Sequence, residues 1–346
     1  MMQIPVEIIP EESQLNIEEL AKTINGHRFT GIICAAARLG LADLLDGEDA
    51  TASELADSVK CRPDMLYRLL RALASIGIFQ ETPLGTFRHT PASLLLRQNA
   101  EPSLQGLASM TSQMHFYAWP EILYSLRTGK AAFNKVFGVG LYDYMADHPE
   151  AAEPFDRAMG AYTEIVTAAV LENYDFAPYS RIIDIGGGAG IFLAKILERY
   201  PHIHGTVFDR DHVVARTSER IHKIALDDRM GVQAGSFLEH VPAGADLYTI
   251  KIVLCDWDDS DVTRILKNIR RAIGKKGTLL IIDGMLPPGN TPCYAKLSDI
   301  NMMLMTGGRE RTEDEFRQLL SESGFKVIFA KPVHEWVGLL EAVPLP

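Results

Sequence analysis

The stretch that decides the fold is RIIDIGGGAG, residues 181–190. Its β-branched first half predicts a strand at Arg181–Ile185, and the segment that follows it predicts a helix at Phe192–Tyr200. The glycines between them admit backbone angles closed to other residues and let a ligand approach the main chain closely. A glycine-rich turn between a strand and a helix therefore predicts a ligand site at the end of this strand.

Downstream of the turn, strand and helix patterns alternate. Apolar runs predict strands at His204–Asp209, Met230–Ala234, Asp246–Val253, Thr278–Asp283 and Lys326–Pro332. Helical periodicity predicts helices at Val213–Ala225, Asp259–Ile273 and Thr312–Ser323. This alternation predicts an α/β fold over residues 179–346. The expected architecture is a Rossmann-like, doubly wound, mostly parallel sheet covered by helices on both faces.

The first hundred residues follow a different pattern. Residues 1–14 are predicted as a loose arm, and residues 15–100 as short helices followed by a hairpin of Ile78–Glu81 and Thr86–His89. This order is typical of a winged helix-turn-helix. The first hundred residues carry nine basic and thirteen acidic side chains, whereas DNA-binding domains are normally basic. The pattern therefore favours packing or dimerisation, and we expect a homodimer.

Overall composition narrows the class of partner. The 346-residue chain has a net charge of −11 at pH 7, which repels a phosphate backbone and argues against nucleic acid as a partner. No apolar run reaches the roughly 18 residues of a membrane span, and the N-terminus lacks the order of a signal peptide. The four cysteines form no CxxC pair, which indicates reduced thiols, a cytoplasmic protein and no metal site. A small molecule remains the expected partner.

Two acids end successive predicted strands. Asp184 directly precedes the glycines, where a carboxylate suits an ammonium group and repels a pyrophosphate. Asp209 ends the next strand, where a carboxylate accepts hydrogen bonds from ribose hydroxyls. Together they favour an aminoacyl-nucleoside, S-adenosylmethionine, as cofactor; a nicotinamide dinucleotide is the alternative.

Residues 101–178, predicted as a helical linker, are dense in methionine and aromatic side chains. Such side chains either form core or line an adaptable pocket for a flat, largely apolar molecule, and periodicity leaves both interpretations open. The pocket candidates are Met110, Met114, Phe116, Trp119, Phe155, Met159 and Tyr162, with Asp299, Met302 and Met303 further along the chain.

A set of motifs in fixed order extends the glycine turn. They are DIGGGAG at 184–190, GTVFD at 205–209, GSF at 235–237, KIVLCDW at 251–257 and GGRERT at 307–312. With them the chain, from Phe29 to near its C-terminus, resembles the two-domain small-molecule O-methyltransferases. That family includes plant caffeate and flavonoid enzymes and bacterial polyketide-tailoring enzymes, and its winged-helix domain mediates dimerisation.

The resemblance assigns roles to several cofactor-binding residues. It implies that Asp184 and the glycines, Gly186 and Gly188 among them, hold the methionine part and that Asp209 binds the ribose. It also implies that Phe237 packs on the adenine and that Lys251 lies beside the cofactor. Arg210 and Ser236 complete the predicted set, with Ser236 in place of the aspartate usual in the family; a serine can still accept a hydrogen bond from an amino group.

A second departure from the family concerns the catalytic base. Cys255 stands where the family has a histidine, and Asp283 and Glu310 match the carboxylates that hold that imidazole. A thiol has an ordinary pKa near ~8.5 against ~6.5 for imidazole, and neighbouring acids make it harder to ionise. Cysteine is therefore a poor base, and the simplest interpretation of Cys255 is that it fills volume at a buried strand end.

Three hypotheses remain open at this stage. The first is methyl transfer to an acceptor that needs little base help, namely an acidic hydroxyl, an amine or an activated carbon, with proximity and alignment supplying much of the rate. The second is O-methylation with the base moved to His115. The third is a protein that binds the cofactor without transferring its methyl group, such as a cyclase.

Overall fold

The computed structural model describes residues 16–346, so the predicted arm at 1–14 lies outside the described residues. These residues form two compact units. The helical unit comprises residues 16–117 and 147–162, and the sheet unit comprises residues 118–146 and 163–346. The boundaries predicted near residues 100 and 178 stay predictions.

The helices range from three to 25 residues in length, and the longest is α12. They are α1 Ile17–Ile24, α2 Gly26–Arg38, α3 Leu41–Leu44, α4 Ala52–Val59, α5 Pro63–Ser75, α6 Pro91–Leu94, α7 Gln105–Met110, α8 Phe116–Ala118, α9 Ile122–Thr128, α10 Ala132–Phe137, α11 Leu141–Asp147, α12 Pro149–Asn173, α13 Ile191–Arg199, α14 Asp211–Lys223, α15 Asp259–Ala272, α16 Tyr294–Met305 and α17 Glu313–Glu322. A π-helical turn at Thr111–His115 and 3₁₀ turns at Trp119–Glu121 and Leu254–Asp256 complete the helical elements described.

The strands form one small sheet and one large sheet. They are β1 Ala50–Thr51, β2 Phe79–Glu81, β3 Thr86–His89, β4 Arg181–Ile185, β5 His204–Asp209, β6 Met230–Ala234, β7 Leu247–Lys251, β8 Thr278–Asp283, β9 Phe325–Pro332 and β10 Gly338–Pro344. The small sheet has the order β1-β3-β2 and the large one β6-β5-β4-β7-β8-β10-β9.

The large sheet confirms the predicted fold class. Strands β6, β5, β4, β7 and β8 pair in parallel, and β10 pairs antiparallel with both β8 and β9. All residues of β8, TLLIID, are buried, as expected for a strand covered on both faces. Apolar clusters lie on the two sides of the sheet, one around Ile250 and Ile265 and the other around Leu193 and Leu247.

Parallel pairing brings the carboxyl ends of β4, β5, β7 and β8 to one edge of the sheet. Asp184, Asp209, Lys251 and Asp283 lie on or at the ends of these strands, so their side chains come from four elements to one edge. Ligands of open α/β sheets bind at this edge. The fold therefore places the predicted cofactor and catalytic residues of the sheet unit together.

The helical unit has its own core under a small sheet. Leu41, Leu55, Leu70, Phe79 and Phe87 are buried there. The predicted capping box at the start of α4 is confirmed, because Thr51 Oγ1 accepts from the Glu54 amide at 3.2 Å and the Glu54 carboxylate accepts from the Thr51 amide at 2.7 Å. β2 and β3 pair as the predicted hairpin, and β1 adds to β3 a strand that the sequence pattern did not predict.

Candidate active site

The glycine turn connects β4 to α13 in conformations that favour glycine. Gly186, Gly188 and Gly190 have φ of 66°, 54° and 72°. A Cβ on Gly186 would lie 2.7 Å from Val253 Cγ2 and 3.7 Å from Phe237 Cε1, so a larger residue would press on the segments that follow β7 and β6. The turn is thus held close to these segments, and its role in binding a ligand stays a prediction.

Asp209 ties the glycine turn to the end of β5. Its Oδ2 accepts from the Gly188 amide at 2.9 Å and its Oδ1 from the Arg210 amide at 2.7 Å. Thr217 Oγ1 donates to the Gly188 carbonyl at 2.7 Å, which fixes the same peptide from α14. Burial raises the pKa of Asp209 while the two amides lower it. A hydrogen-bond acceptor with spare lone pairs is therefore held beside the turn, where the ribose was predicted.

Asp184 lies beneath the turn, 1% exposed. Its Oδ1 accepts from Thr249 Oγ1 at 2.7 Å, while its buried Oδ2 has no hydrogen-bond partner among the described residues. Burial raises the pKa of Asp184 to about 6, against the opposing effects of Thr249 and Lys251. An unpaired buried carboxylate oxygen costs free energy, so a cationic group near the turn would stabilise it. This orphaned oxygen fits the ammonium end of S-adenosylmethionine.

The other predicted cofactor residues surround the same edge of the sheet. Lys251 Nζ donates to Thr163 Oγ1 at 3.0 Å, and burial lowers its pKa. Phe237 is partly buried and packs edge-on against Trp257 with ring centroids 5.8 Å apart, and Ser236 precedes it, partly buried. The Arg210 guanidinium lies 5.7 Å from the centroid of the Tyr142 ring.

Cys255, Asp283 and Glu310 come together as the sequence motifs predict. Each offers a ligand or proton-binding atom within 4.8 Å of the other two. Asp283 Oδ2 accepts from the amides of Leu254 and Cys255 at 3.1 and 3.3 Å, and its Oδ1 accepts from the Gly284 amide at 3.0 Å. The shorter aspartate therefore reaches the backbone of the 3₁₀ turn that carries Cys255. The predicted absence of a metal stays a prediction.

Glu310 is the less satisfied acid of this cluster. Its Oε1 accepts from Ser298 Oγ at 2.8 Å, and its buried Oε2 has no hydrogen-bond partner among the described residues. Burial, then the charge of Asp283, raises the pKa of Glu310 to about 8. Near neutral pH, Glu310 therefore carries a proton. Burial also raises the pKa of Asp283, and the amides that bind it and the charge of Arg311 oppose that rise.

The thiol between these acids does not ionise readily. Burial, followed by the charges of Asp283, Glu310 and Asp256, raises the pKa of Cys255 well above its ordinary value. This confirms the prediction that the acids make the thiol harder to ionise. Cys255 is 2% exposed and contributes to the core at the end of β7.

A fully buried arginine holds the backbone around the cluster. Arg311 donates to the carbonyls of Leu254 and Trp257 at 2.9 and 2.8 Å and pairs with Asp259 at 2.8 Å. Gly308 packs so closely on the same segment that a Cβ there would lie 2.1 Å from the Cys255 carbonyl oxygen. The GGRERT motif thus fixes the 3₁₀ turn as well as supplying Glu310.

Sequence reasoning did not single out two further residues at this edge. The Tyr142 hydroxyl, from α11, hydrogen-bonds to Oδ2 of Asp256, the residue directly after Cys255. Loss of surrounding water raises the pKa of Asp256 to about 7, and the Tyr142 hydrogen bond opposes that rise. The CDW motif contains Asp256, but Tyr142 lies 114 residues away in sequence, so the pattern gives no signal for the pair.

The predicted substrate residues divide between the two units. In the sheet unit, Trp119 Nε1 donates to Asn301 Oδ1 at 3.0 Å, and Asp299 Oδ1 accepts from the Glu310 amide at 2.8 Å. The Asp299 side chain, predicted to bind substrate, therefore also holds the backbone at Glu310. Met302 and Met303 are partly buried on α16. The residues in the helical unit are Met110 and Met114, which are buried, Phe155, Met159 and Tyr162, which are partly buried, and Phe116, which is exposed.

His115 lies in the π-helical turn of the helical unit. Its Nδ1 is buried without a hydrogen-bond partner among the described residues, and burial lowers its pKa to about 4. An imidazole with this pKa is neutral at pH 7 but is a weak proton acceptor, because base catalysis is most effective when the pKa lies near the working pH. This disfavours His115 as the displaced base.

Fold and site together define a class of protein. The large sheet has seven mostly parallel strands, the glycine turn follows its first strand in the sequence, β4, and acids lie at the ends of the adjacent strands β4 and β5. These are the features of a class I S-adenosylmethionine-dependent methyltransferase. The chain belongs to the O-methyltransferase family: its residues 119–326 match the O-methyltransferase domain and residues 21–99 the O-methyltransferase dimerisation domain.

Individual relatives agree with this assignment. The chain is 38% identical to a phenazine O-methyltransferase of Lysobacter antibioticus, over 94% of this chain and 96% of the relative. The crystal structure of LaPhzM matches with a TM-score of 0.92 at 38% identity, covering 95% and 99% of the two chains. That of the N,N-8-amino-8-demethyl-D-riboflavin dimethyltransferase from Streptomyces davawensis matches with a TM-score of 0.83 at 31% identity, covering 96% and 100% of the two chains.

Within residues 16–346, every helix is either too short or too polar to span a lipid bilayer.

Proposed function

We propose that this methyltransferase acts on a flat, largely apolar aromatic molecule whose acceptor is an acidic hydroxyl or an amine. The observation that carries the proposal is the buried Cys255 cluster, in which the thiol stays protonated. An acceptor that loses its proton easily, or has a free lone pair, needs little general-base catalysis from residue 255. Proximity and alignment supply the rest, since well-oriented reactants gain roughly 7–11 kcal/mol.

The chain's own residues bind and orient the cofactor in this proposal. S-adenosylmethionine supplies an electrophilic methyl group on a positively charged sulfur. The orphaned oxygen of Asp184 would bind its ammonium end, and Asp209 would accept hydrogen bonds from its ribose hydroxyls. Phe237 and Trp257 would offer ring surface to the adenine.

Relatives support the proposed substrate class. One is named for phenazine, another for 8-amino-8-demethylriboflavin and a third for a dihydroxynaphthoate, all flat ring systems, and the second is an N-methyltransferase. The comparisons give no support to the non-methylating alternative. We also propose that the protein is a homodimer, and the match to the dimerisation domain supports this. The proposal further includes a cytoplasmic location and no nucleic-acid partner.

An acceptor screen tests the proposed function. The purified chain is incubated with S-adenosylmethionine and matched hydroxyl and amino derivatives of phenazine, naphthoate and flavin, and mass spectrometry locates any added methyl group. We expect methylation on oxygen or nitrogen of a flat aromatic compound. Preferred methylation of aliphatic alcohols or of protein side chains would contradict the proposed substrate class.

A further inference from the structure

The neighbourhood of Cys255 contains a second acid whose carboxylate is held in one orientation. Asp256 directly follows Cys255 in the 3₁₀ turn, and its Oδ2 accepts from the Tyr142 hydroxyl. Among the described residues, the Tyr142 hydroxyl is the donor found for this carboxylate, and the residue is partly exposed. One oxygen is thus held in place while the other stays available.

The surroundings place this pair between the predicted ribose site and the cysteine. The Arg210 guanidinium lies against the Tyr142 ring at 5.7 Å, and Arg210 follows Asp209 at the end of β5. Tyr142 lies near Cys255 and Asp209, and Asp256 lies near Asp283. The pair therefore lies beside the position at which, by the family resemblance, the acceptor group meets the methyl donor.

We infer that Asp256 is a catalytic residue that accepts the acceptor's proton at Oδ1, and that Tyr142 is a positioning residue that orients its carboxylate. This inference rests on the proposed function. As the acceptor oxygen or nitrogen bonds to the methyl carbon, the bond between that carbon and sulfur breaks and its electron pair stays on sulfur. The acceptor's proton passes to the Asp256 carboxylate, so the neutral S-adenosylhomocysteine and a neutral methylated product leave together.

The other acids of the cluster fit this task less well. Glu310 already carries a proton near neutral pH, and backbone amides already donate to both oxygens of Asp283. The thiol of Cys255 stays protonated. Asp256 combines a free oxygen with a pKa of about 7, which is close to the working pH that base catalysis favours.

The protonation of Asp256 determines whether kcat/KM rises or falls with pH. The charged and titratable groups found near Asp256 or Tyr142 among the described residues include Cys255, Asp283, Glu310, Asp209 and Arg210. Only the carboxylate form accepts a proton, so kcat/KM should rise with pH through about 7 and level off above it. The Tyr142 hydrogen bond stabilises the anion, so its removal should move this midpoint to higher pH.

The test is the pH profile of kcat/KM for Asp256→Asn and Tyr142→Phe with acceptors of graded acidity. The acceptors are hydroxyphenazines and hydroxynaphthoates that the wild type methylates, chosen to include weakly and strongly acidic phenols. We expect Asp256→Asn to lose about 10²-fold with a weakly acidic phenol, the low end of general-base effects, and to lose the rising limb near pH 7. With a strongly acidic phenol, kcat/KM of Asp256→Asn should fall less than about threefold. Tyr142→Phe should keep the rise of kcat/KM with pH, with its midpoint moved to higher pH.

Controls separate this role from a structural one. Asp228→Asn changes an exposed aspartate between α14 and β6 and should leave the profile unchanged. S-adenosylhomocysteine affinity, measured by calorimetric titration, should be the same in all variants. Equal losses with weak and strong acids, or a retained rising limb in Asp256→Asn, would overturn the inference and leave methyl transfer standing. Absence of turnover by the wild type with every acceptor would overturn the proposed function as well.

Discussion

At the residue scale, the protonation of Cys255 and of its two neighbouring carboxylates decides what chemistry this cluster can perform. Glu310 carries a proton near neutral pH, and burial also raises the pKa of Asp283 while the three amides that it binds oppose that rise. The carboxylates that would hold a histidine are still present. By the family resemblance, these carboxylates would support an imidazole base at the position that the thiol occupies.

We predict that Cys255→Ala retains kcat within about threefold of the wild type, because the protonated thiol takes no part in proton transfer. Removal of a buried side chain of this size should lower the free energy of unfolding by about 1 kcal/mol. Steady-state kinetics and urea unfolding check the two parts. A tenfold fall in kcat with unchanged S-adenosylhomocysteine affinity would show that the cysteine has a chemical role.

Cys255→His tests whether the supporting carboxylates still function. An imidazole between Asp283 and Glu310 is expected to raise kcat/KM for weakly acidic phenols about tenfold or more and to change little with amines, since general-base catalysis contributes 10²–10⁴-fold where it is needed. Cys255→Ala is the matched control for the lost thiol. An unchanged ratio of phenol to amine activity would mean that the histidine does not reach the acceptor.

At the scale of elements, the sequence predicted best where the pattern is strong and local. The strands Arg181–Ile185, His204–Asp209, Met230–Ala234 and Thr278–Asp283 begin and end as predicted, because each is a short run bounded by a turn. The strand predicted at Asp246–Val253 was too long, since it ends at Lys251, and Ile252, with φ of 51°, turns the chain away from the sheet.

Two elements of the large sheet unit were not predicted. Helix α16 starts at Tyr294, its N-cap Cys293 makes no side-chain cap hydrogen bond, and its sequence, YAKLSDINMMLM, has apolar residues on several faces. Strand β10 inserts between β8 and β9, a position that follows from tertiary pairing and from no local signal. The Tyr142–Asp256 pair escaped prediction for the same reason, because only folding brings its members together.

The glycine turn gives a prediction at this scale. Gly186→Ala would force a side chain into a left-handed backbone and within 2.7 Å of Val253 Cγ2, so it should weaken S-adenosylhomocysteine binding at least tenfold and destabilise the fold by about 1–3 kcal/mol. Gly231→Ala in β6 is the control, because its Cβ would meet no atom within 4 Å. Calorimetric titration and thermal unfolding measure both variants, and equal behaviour of the two would contradict the close packing of the turn.

At the scale of the whole molecule, the apolar face of α1 is open to a second copy of the chain. Ile17 and Ile24 are 89% and 68% exposed, and a dimerisation domain at 21–99 overlaps the helix. We predict that the wild type elutes as a dimer of the 38.3 kDa chain and that the double variant Leu20→Glu, Ile24→Glu elutes as a monomer. Light scattering on a sizing column measures this, with Leu84→Glu in the β2–β3 turn as the control. A double variant that remains dimeric would exclude this face from the interface.

The most direct test of the account is the balance of methyl transfer with methyl-labelled S-adenosylmethionine. Label in the acceptor and S-adenosylhomocysteine in solution are both quantified in the same reaction. We predict equal amounts of the two with a flat aromatic phenol or amine, and neither without an acceptor. Conversion of such a compound with no S-adenosylhomocysteine formed, or binding of the cofactor with no transfer to any acceptor, would contradict the account.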